Sequence, residues 1–240
     1  MLFRPIASGS SGNCYYVEAG GCRLLLDAGI PFSRIQEALG FTVATLDGCF
    51  ITHEHGDHVK AACDLMKMGI NVYMTEGTAE ASVGHHHRLR TLARYASSEV
   101  NYHPLRIRDL EILPIRVMHD AAEPVCFVLR DLTAGLSLAY ITDTFYSVAS
   151  FVGLTHLAIE ANYSKEILRR RQLDGELDGQ RAKRLYRTHM AIETVESMLQ
   201  EMDKSRLREV WLLHLSDGNS DEQDFKTRIQ RITGTPVYVA

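Results

Sequence analysis

The sequence predicts an α/β chain arranged as an αββα four-layer sandwich, two β-sheets with helices on their outer faces. Three observations carry that expectation. Short apolar runs bounded by Gly and Ser clusters fill the first stretch, a strand-rich then helical order recurs in the second half, and a histidine-aspartate cluster sits between a strand and a helix.

Leu2–Ala7, Cys14–Glu18 and Arg23–Asp27 read as consecutive antiparallel strands. A helix is expected at Pro31–Leu39, where Pro31 suits the first turn, Phe32, Ile35, Ala38 and Leu39 recur at helical spacing, and Gly40 can end it. Strand Gly48–Thr52, helix Val59–Met68 closed by Gly69, and strand Asn71–Met74 supply βα alternation. Strands are then expected at Leu105–Ile107, Glu111–His119, Cys126–Arg130, Ser137–Thr142 and Leu157–Glu160. Helices Lys165–Gln172, Gln180–Arg187 and Ala191–Met202 precede a final strand, Glu209–Leu213. With 240 residues, 45% of them hydrophobic, and no low-complexity divider, residues 1–240 are expected to form one domain.

The net charge of -4 argues against a constitutive nucleic-acid coat, although local basic patches remain open. Five cysteines without a C-x-x-C pair suggest reduced, mostly buried thiols rather than a disulfide framework or a zinc knuckle. No apolar run approaches the ~18 residues of a membrane span, and the N-terminus lacks a leader pattern. The expectation is a cytoplasmic protein with no membrane partner.

His53, His55, Asp57 and His58 form an H-x-H-x-D-H cluster directly after the apolar run Cys49-Phe50-Ile51. Imidazole and carboxylate together suit zinc, manganese or iron, and spacings of one and two residues let a single turn aim ligands at two neighbouring ions. A dinuclear site needs further ligands at strand ends. His119, Asp143 and His214 each follow an apolar run, which is the pattern expected there.

The cluster, with Leu25-Leu26-Asp27-Ala28-Gly29 before it and His119, Asp143 and His214 after it, resembles the metallo-β-lactamase superfamily. Ala7-Ser8-Gly9-Ser10-Ser11-Gly12-Asn13, His119-Asp120-Ala121-Ala122-Glu123-Pro124, Glu160-Ala161-Asn162-Tyr163 and His214-Leu215-Ser216 resemble, more narrowly, its YycJ/WalJ-like branch, associated with DNA exonuclease activity. The resemblance implies that His53, His55 and His119 hold one divalent metal ion (Zn or Mn, or Fe), that Asp57, His58 and His214 hold a second, and that Asp143 bridges them. Asp57 and His189 are assigned to catalysis, His189 as leaving-group acid or phosphate contact; here only the histidine of the branch's Gly-His-Leu-Ser motif is retained, and a surface histidine at a helix start is the alternative. Asp27 reads as an orienting partner for a ligand histidine or as a strand-end cap.

Ser10 lies in a Gly-rich loop read first as a turn and second as a substrate-lining loop. Between Asn162 and Met190 eight basic residues face four acidic ones, so Arg181, Lys183 and Arg184 are candidate contacts for a polyanion, against a solvated helix face. His85, His86 and His87 read as a solvated loop, and His103 and His156 as structural. The expected function is a dinuclear phosphodiesterase or nuclease acting on DNA through a metal-bridging hydroxide. The alternatives are a small-molecule hydrolase for a cyclic phosphodiester or thioester, and a non-catalytic regulatory protein stapled by metals.

Overall fold

Antiparallel β1 (Leu2–Ala7), β2 (Cys14–Ala19) and β3 (Cys22–Leu26) begin a six-stranded sheet, which continues in parallel through β4 (Gly48–Phe50), β5 (Val72–Met74) and β6 (Leu89–Thr91) in sequence order. Parallel neighbours require crossovers, and helices supply them: α1 (Phe32–Ala38), α2 (Gly56–Val59) with α3 (Ala62–Lys67), and α4 (Glu76–Ser82). The computed structural model describes residues 1–96, 102–145 and 151–240. Its chain divides into two compact units, Met1–Arg116 with Ala121–Leu136, and Val117–Asp120 with Ser137–Ala240.

Unit 1 is itself layered. Side chains alternate across a strand, so Cys49 and Ile51 enter a core with Ile35, Leu65 and Met66 of the helices while Phe50 points the other way. There Phe50 meets Phe127 edge to face at 5.6 Å. Phe127 belongs to β9 (Val125–Asp131), which pairs antiparallel with β8 (Leu110–Arg116), itself paired with β7 (Leu105–Ile107). Val125 N donates to Thr52 O at 3.0 Å and Gly20 N to Asp131 Oδ2 at 2.8 Å, pinning these strands to the first sheet.

Unit 2 holds all but the first residue of β10 (Leu136–Ile141), followed by β11 (His156–Glu160), β12 (Glu209–Leu213) and β13 (Val237–Val239), each parallel to the last. Their near-continuous apolar runs are those of strands covered on both faces. α5 (Lys165–Leu173), α6 (Gly179–Thr188) and α7 (Ile192–Glu201) join β11 to β12, and α8 (Glu222–Thr233) leads into β13. Asp221 caps α8 by accepting from Asp224 N at 2.9 Å, and Gly234, at φ 67°, ends it.

Several expectations need correction. The helix expected at Val59–Met68 is two helices broken at Lys60–Ala61, Glu209–Leu213 is followed by α8 and β13, and α4 and β6 fall where no element was expected. His119 does not end a strand: β8 stops at Arg116. All five cysteines are free; Cys14, Cys22, Cys49 and Cys126 are buried, Cys63 is exposed, and burial pushes the Cys126 thiol up to about 12.

Candidate metal centre

In unit 1 the functional side chains hang on the carboxyl ends of β3 and β4. Asp27 follows β3 at φ 57°, a left-handed conformation that costs a non-glycine residue about 1 kcal/mol and is held by its surroundings. Its Oδ1 accepts from Thr52 N at 2.8 Å, and its Oδ2 lies 2.9 Å from His58 Nδ1. Asp27 and His58 are both fully buried. Thr52 Oγ1 is also 3.0 Å from His53 Nδ1, and His53 Nε2 lies 3.1 Å from His55 Nδ1.

Asp57 carries its carboxylate 3.7 Å from His58 Nε2. The backbone of this turn is gripped by neighbouring loops: Asn13 N donates to Asp57 O, and Ala28 N to His58 O, each at 2.8 Å. Buried Asn13 places its amide nitrogen 3.0 Å from His58 Nε2. Ser10 lies exposed at the tip of a turn closed by Gly12 N on Gly9 O at 3.0 Å.

In unit 2, Asp143 lies just past β10 at φ 45° and His214 just past β12 at φ 54°. Together with Asp27 they make three of the five left-handed non-glycine residues among those described, so strain gathers at two predicted ligands and the predicted orienting partner of a third. His119 Nδ1 lies 2.9 Å from Thr188 O, and its Nε2 faces Asp120 Oδ1 at 3.3 Å and Asp143 Oδ2 at 3.9 Å. Burial lowers the His119 pKa even against the pull of Asp143 and Asp120, favouring the neutral ring.

Glu160, which ends β11 and is fully buried, organises this half. Its Oε1 lies 2.5 Å from His189 Nδ1 and 3.1 Å from His214 Nδ1, while its Oε2 accepts from Thr144 N and Met190 N, each at 3.1 Å. Burial pushes the Glu160 carboxyl up, but the charge and hydrogen bonds of His189 and His214 outweigh it and hold the pKa below the usual value. His189 shows the mirror image: burial disfavours its charge, and Glu160 reverses this to raise the pKa. Donor atoms of Asp143, Glu160, His189 and His214 all lie within 4.8 Å of one another.

His58, His119 and His214 share one arrangement: Nδ1 is engaged by a carboxylate or a backbone carbonyl. A neutral ring that donates through Nδ1 presents its Nε2 lone pair outward, which is the state a metal requires. The unit 2 donors Asp143, Glu160, His189 and His214 suit a divalent metal ion of the zinc or manganese type.

Sequence reasoning missed Glu160, Asn13 and Thr188 as parts of these sets. Glu160 ends an apolar strand, as His214 and the Asp143 run do, so the same strand-end rule marks it. Of the candidate phosphate contacts, Arg181 and Lys183 are exposed on α6 and make no ion pair among the described residues, whereas Arg184 Nη2 lies 3.8 Å from Asp120 Oδ2. His156, nearly buried, sits 2.8 Å from Thr155 Oγ1; His85 and His87 are exposed and His86 half-buried.

Layered sheets with buried, pre-oriented imidazoles and carboxylates at strand ends define a metal-dependent hydrolase. The metallo-β-lactamase superfamily pattern matches residues 7–129, just over half of the chain. Exodeoxyribonuclease WalJ of Streptococcus pneumoniae is 31% identical over 234 residues, covering 90% of this chain and 81% of that one. Exodeoxyribonuclease YycJ of Bacillus anthracis is 32% identical over 178 residues, covering 70% of this chain and 66% of that one. The chain belongs to the metallo-β-lactamase superfamily, and its fold is that αββα sandwich. Among solved structures, the metallo-β-lactamase fold protein YhfI of Bacillus subtilis superposes with a TM-score of 0.73 at 16% identity, covering 99% of this chain and 95% of that one. Human tRNase Z, short form, gives 0.68 at 15% identity, covering 100% and 96%.

Proposed function

We propose that residues 1–240 act as a single hydrolase domain, a dinuclear metal-dependent phosphodiesterase that works on DNA as an exonuclease in the cytoplasm. The observation that carries the hydrolytic reading is the common engagement of Nδ1 in His58, His119 and His214, which preorganises ligand rings before any metal arrives. The nucleic-acid substrate rests on the two exodeoxyribonuclease relatives. No described helix is long and apolar enough to cross a membrane.

In this reading His53, His55 and His119 hold one ion, Asp57, His58 and His214 the other, and Asp143 bridges. Bound divalent ions would supply Lewis acidity and an activated water. The chain supplies the rest. Asp27, Thr188 and Glu160 each engage Nδ1 of one ligand ring and so favour the proton there, and Asp143 is held for its role by the Thr142 hydroxyl on Oδ1 at 2.7 Å. In this reading His189, its proton-holding form favoured by Glu160, gives a proton to the departing oxygen. Arg181, Lys183 and Arg184 follow the DNA backbone, and Ser10 lines the substrate. Arg171 is structural, since it serves Gly218 O and Asn219 Oδ1 at 2.9 Å each.

Replacing Arg181, Lys183 and Arg184 together with Gln tests the polyanion assignment. The apparent KM for DNA should rise and its log-log salt slope flatten by ~0.9 for each phosphate that is no longer neutralised, while a small phosphodiester is cleaved as before. An unchanged salt slope would transfer the assignment to a small-molecule phosphodiesterase.

A further inference from the structure

We propose that unit 1 carries a second ligand site, separate from the metal ligands, that takes a phosphomonoester dianion. A cavity of about 280 Å³ opens between β1–β3 and the segment following α1. Strand register builds its floor: Arg4 stands opposite Tyr16, and Glu18, two residues on, stands opposite Arg23, so Arg4, Tyr16 and Arg23 share one face. Leu39, Thr42 and Thr45 line the facing wall. β3 carries the chain four residues from Arg23 to Asp27, so the cavity lies at the opposite end of that strand from Asp27, about 13 Å along it.

The charge of the lining is positive. Arg4 and Arg23 are its ionised side chains, and neither forms an ion pair among the described residues. Arg4 is positioned by its guanidinium, 5.2 Å from the Tyr16 ring centroid, and by Nη2 donating to Ala38 O at 3.2 Å. Arg23 Nη1 donates to Thr45 Oγ1 at 3.4 Å. Each guanidinium has five N–H donors, so these bonds aim the groups and leave most of their donors for a ligand. Glu18, at the rim, accepts from the Tyr16 hydroxyl at 3.1 Å. Two guanidinium forks lining one small polar concavity suit the oxygens of a phosphate, and the volume admits little more than that phosphate and a compact organic group.

The test is calorimetric titration of the metal-loaded protein with inorganic phosphate and with dAMP, for the wild type and for Arg4→Gln/Arg23→Gln. The double variant should weaken one class of binding by about tenfold or more, while turnover at the metal centre stays at the wild-type level. Hydrogen exchange in residues 39–47 should slow when either probe is added to the wild type, which reports the site even if the double variant folds poorly. Equal affinity for both probes would identify the phosphate as the whole recognition element; tighter dAMP binding would show that the nucleoside is held as well. Wild-type affinity in a folded double variant, or no added protection of residues 39–47, would overturn the proposal.

Discussion

Oδ2 of Asp27 and Nδ1 of His58 lie 2.9 Å apart with both side chains fully buried, joining the end of β3 to the first turn after β4. The contact decides which nitrogen of His58 is available. Asp27→Asn can turn an amide N–H toward Nδ1, favouring the wrong tautomer, and Asp27→Ala leaves the ring unheld. Metal affinity is expected to fall about 10- to 100-fold in either variant, read by metal titration, with the smaller loss in any variant that retains an acceptor. Wild-type affinity in Asp27→Ala would reduce Asp27 to a strand-end cap.

Gly29 predicts a steric failure. A Cβ built there would sit 1.6 Å from Asp57 O and 2.6 Å from His58 N, and these are backbone atoms that also receive the Asn13 hydrogen bond or carry the ligands. No side chain can yield to relieve this. Gly29→Ala is expected to destabilise by on the order of 3 kcal/mol or more, with metal loss accompanying a lowered Tm. A Tm indistinguishable from wild type would show that the Asp27–Gly29 loop can move away without cost.

Asp131 should contribute to acid sensitivity. Burial works to raise its pKa, but hydrogen bonds from Ala134 N, the Thr133 side chain and Gly20 N bring it down to about 2 from an ordinary value of 3.8. A depressed carboxylate stabilises the fold above the unfolded value, and that contribution disappears as the pH falls from about 4 towards about 2. Asp131→Asn should therefore cost about 1–2 kcal/mol at neutral pH, with the difference from wild type shrinking across that window in pH-dependent melts. A gap that stays constant through the whole acid window would assign the destabilisation to packing rather than charge.

Most strands, and the candidate ligands His53, Asp143 and His214, were legible because they follow one local rule: an apolar run, then a polar residue beyond its carboxyl end. Gly48–Phe50 into His53 and Glu209–Leu213 into His214 both obey it. What escaped lacked a broad apolar stripe. α8 buries only Phe225 and Ile229, α4 only Thr78 and Ala79, and β6 reads Leu-Arg-Thr. Glu160 escaped for a different reason. A carboxylate reads as a solvent group until burial brings it against His189, 29 residues away in sequence, and His214, 54 away. The strand-end rule marks Glu160's position, but no local pattern announces its long-range partners.

A dinuclear centre bridged by Asp143 is tested most directly by elemental analysis after reconstitution with Mn and with Zn, on the wild type and on Asp143→Asn. Asn tolerates the left-handed backbone that Asp143 occupies, so the variant should fold and melt close to wild type. Two ions per wild-type chain are expected, with loss of at least one ion and of turnover on DNA in Asp143→Asn. One ion or none in the wild type, or two ions with full turnover in Asp143→Asn, would contradict the bridged centre.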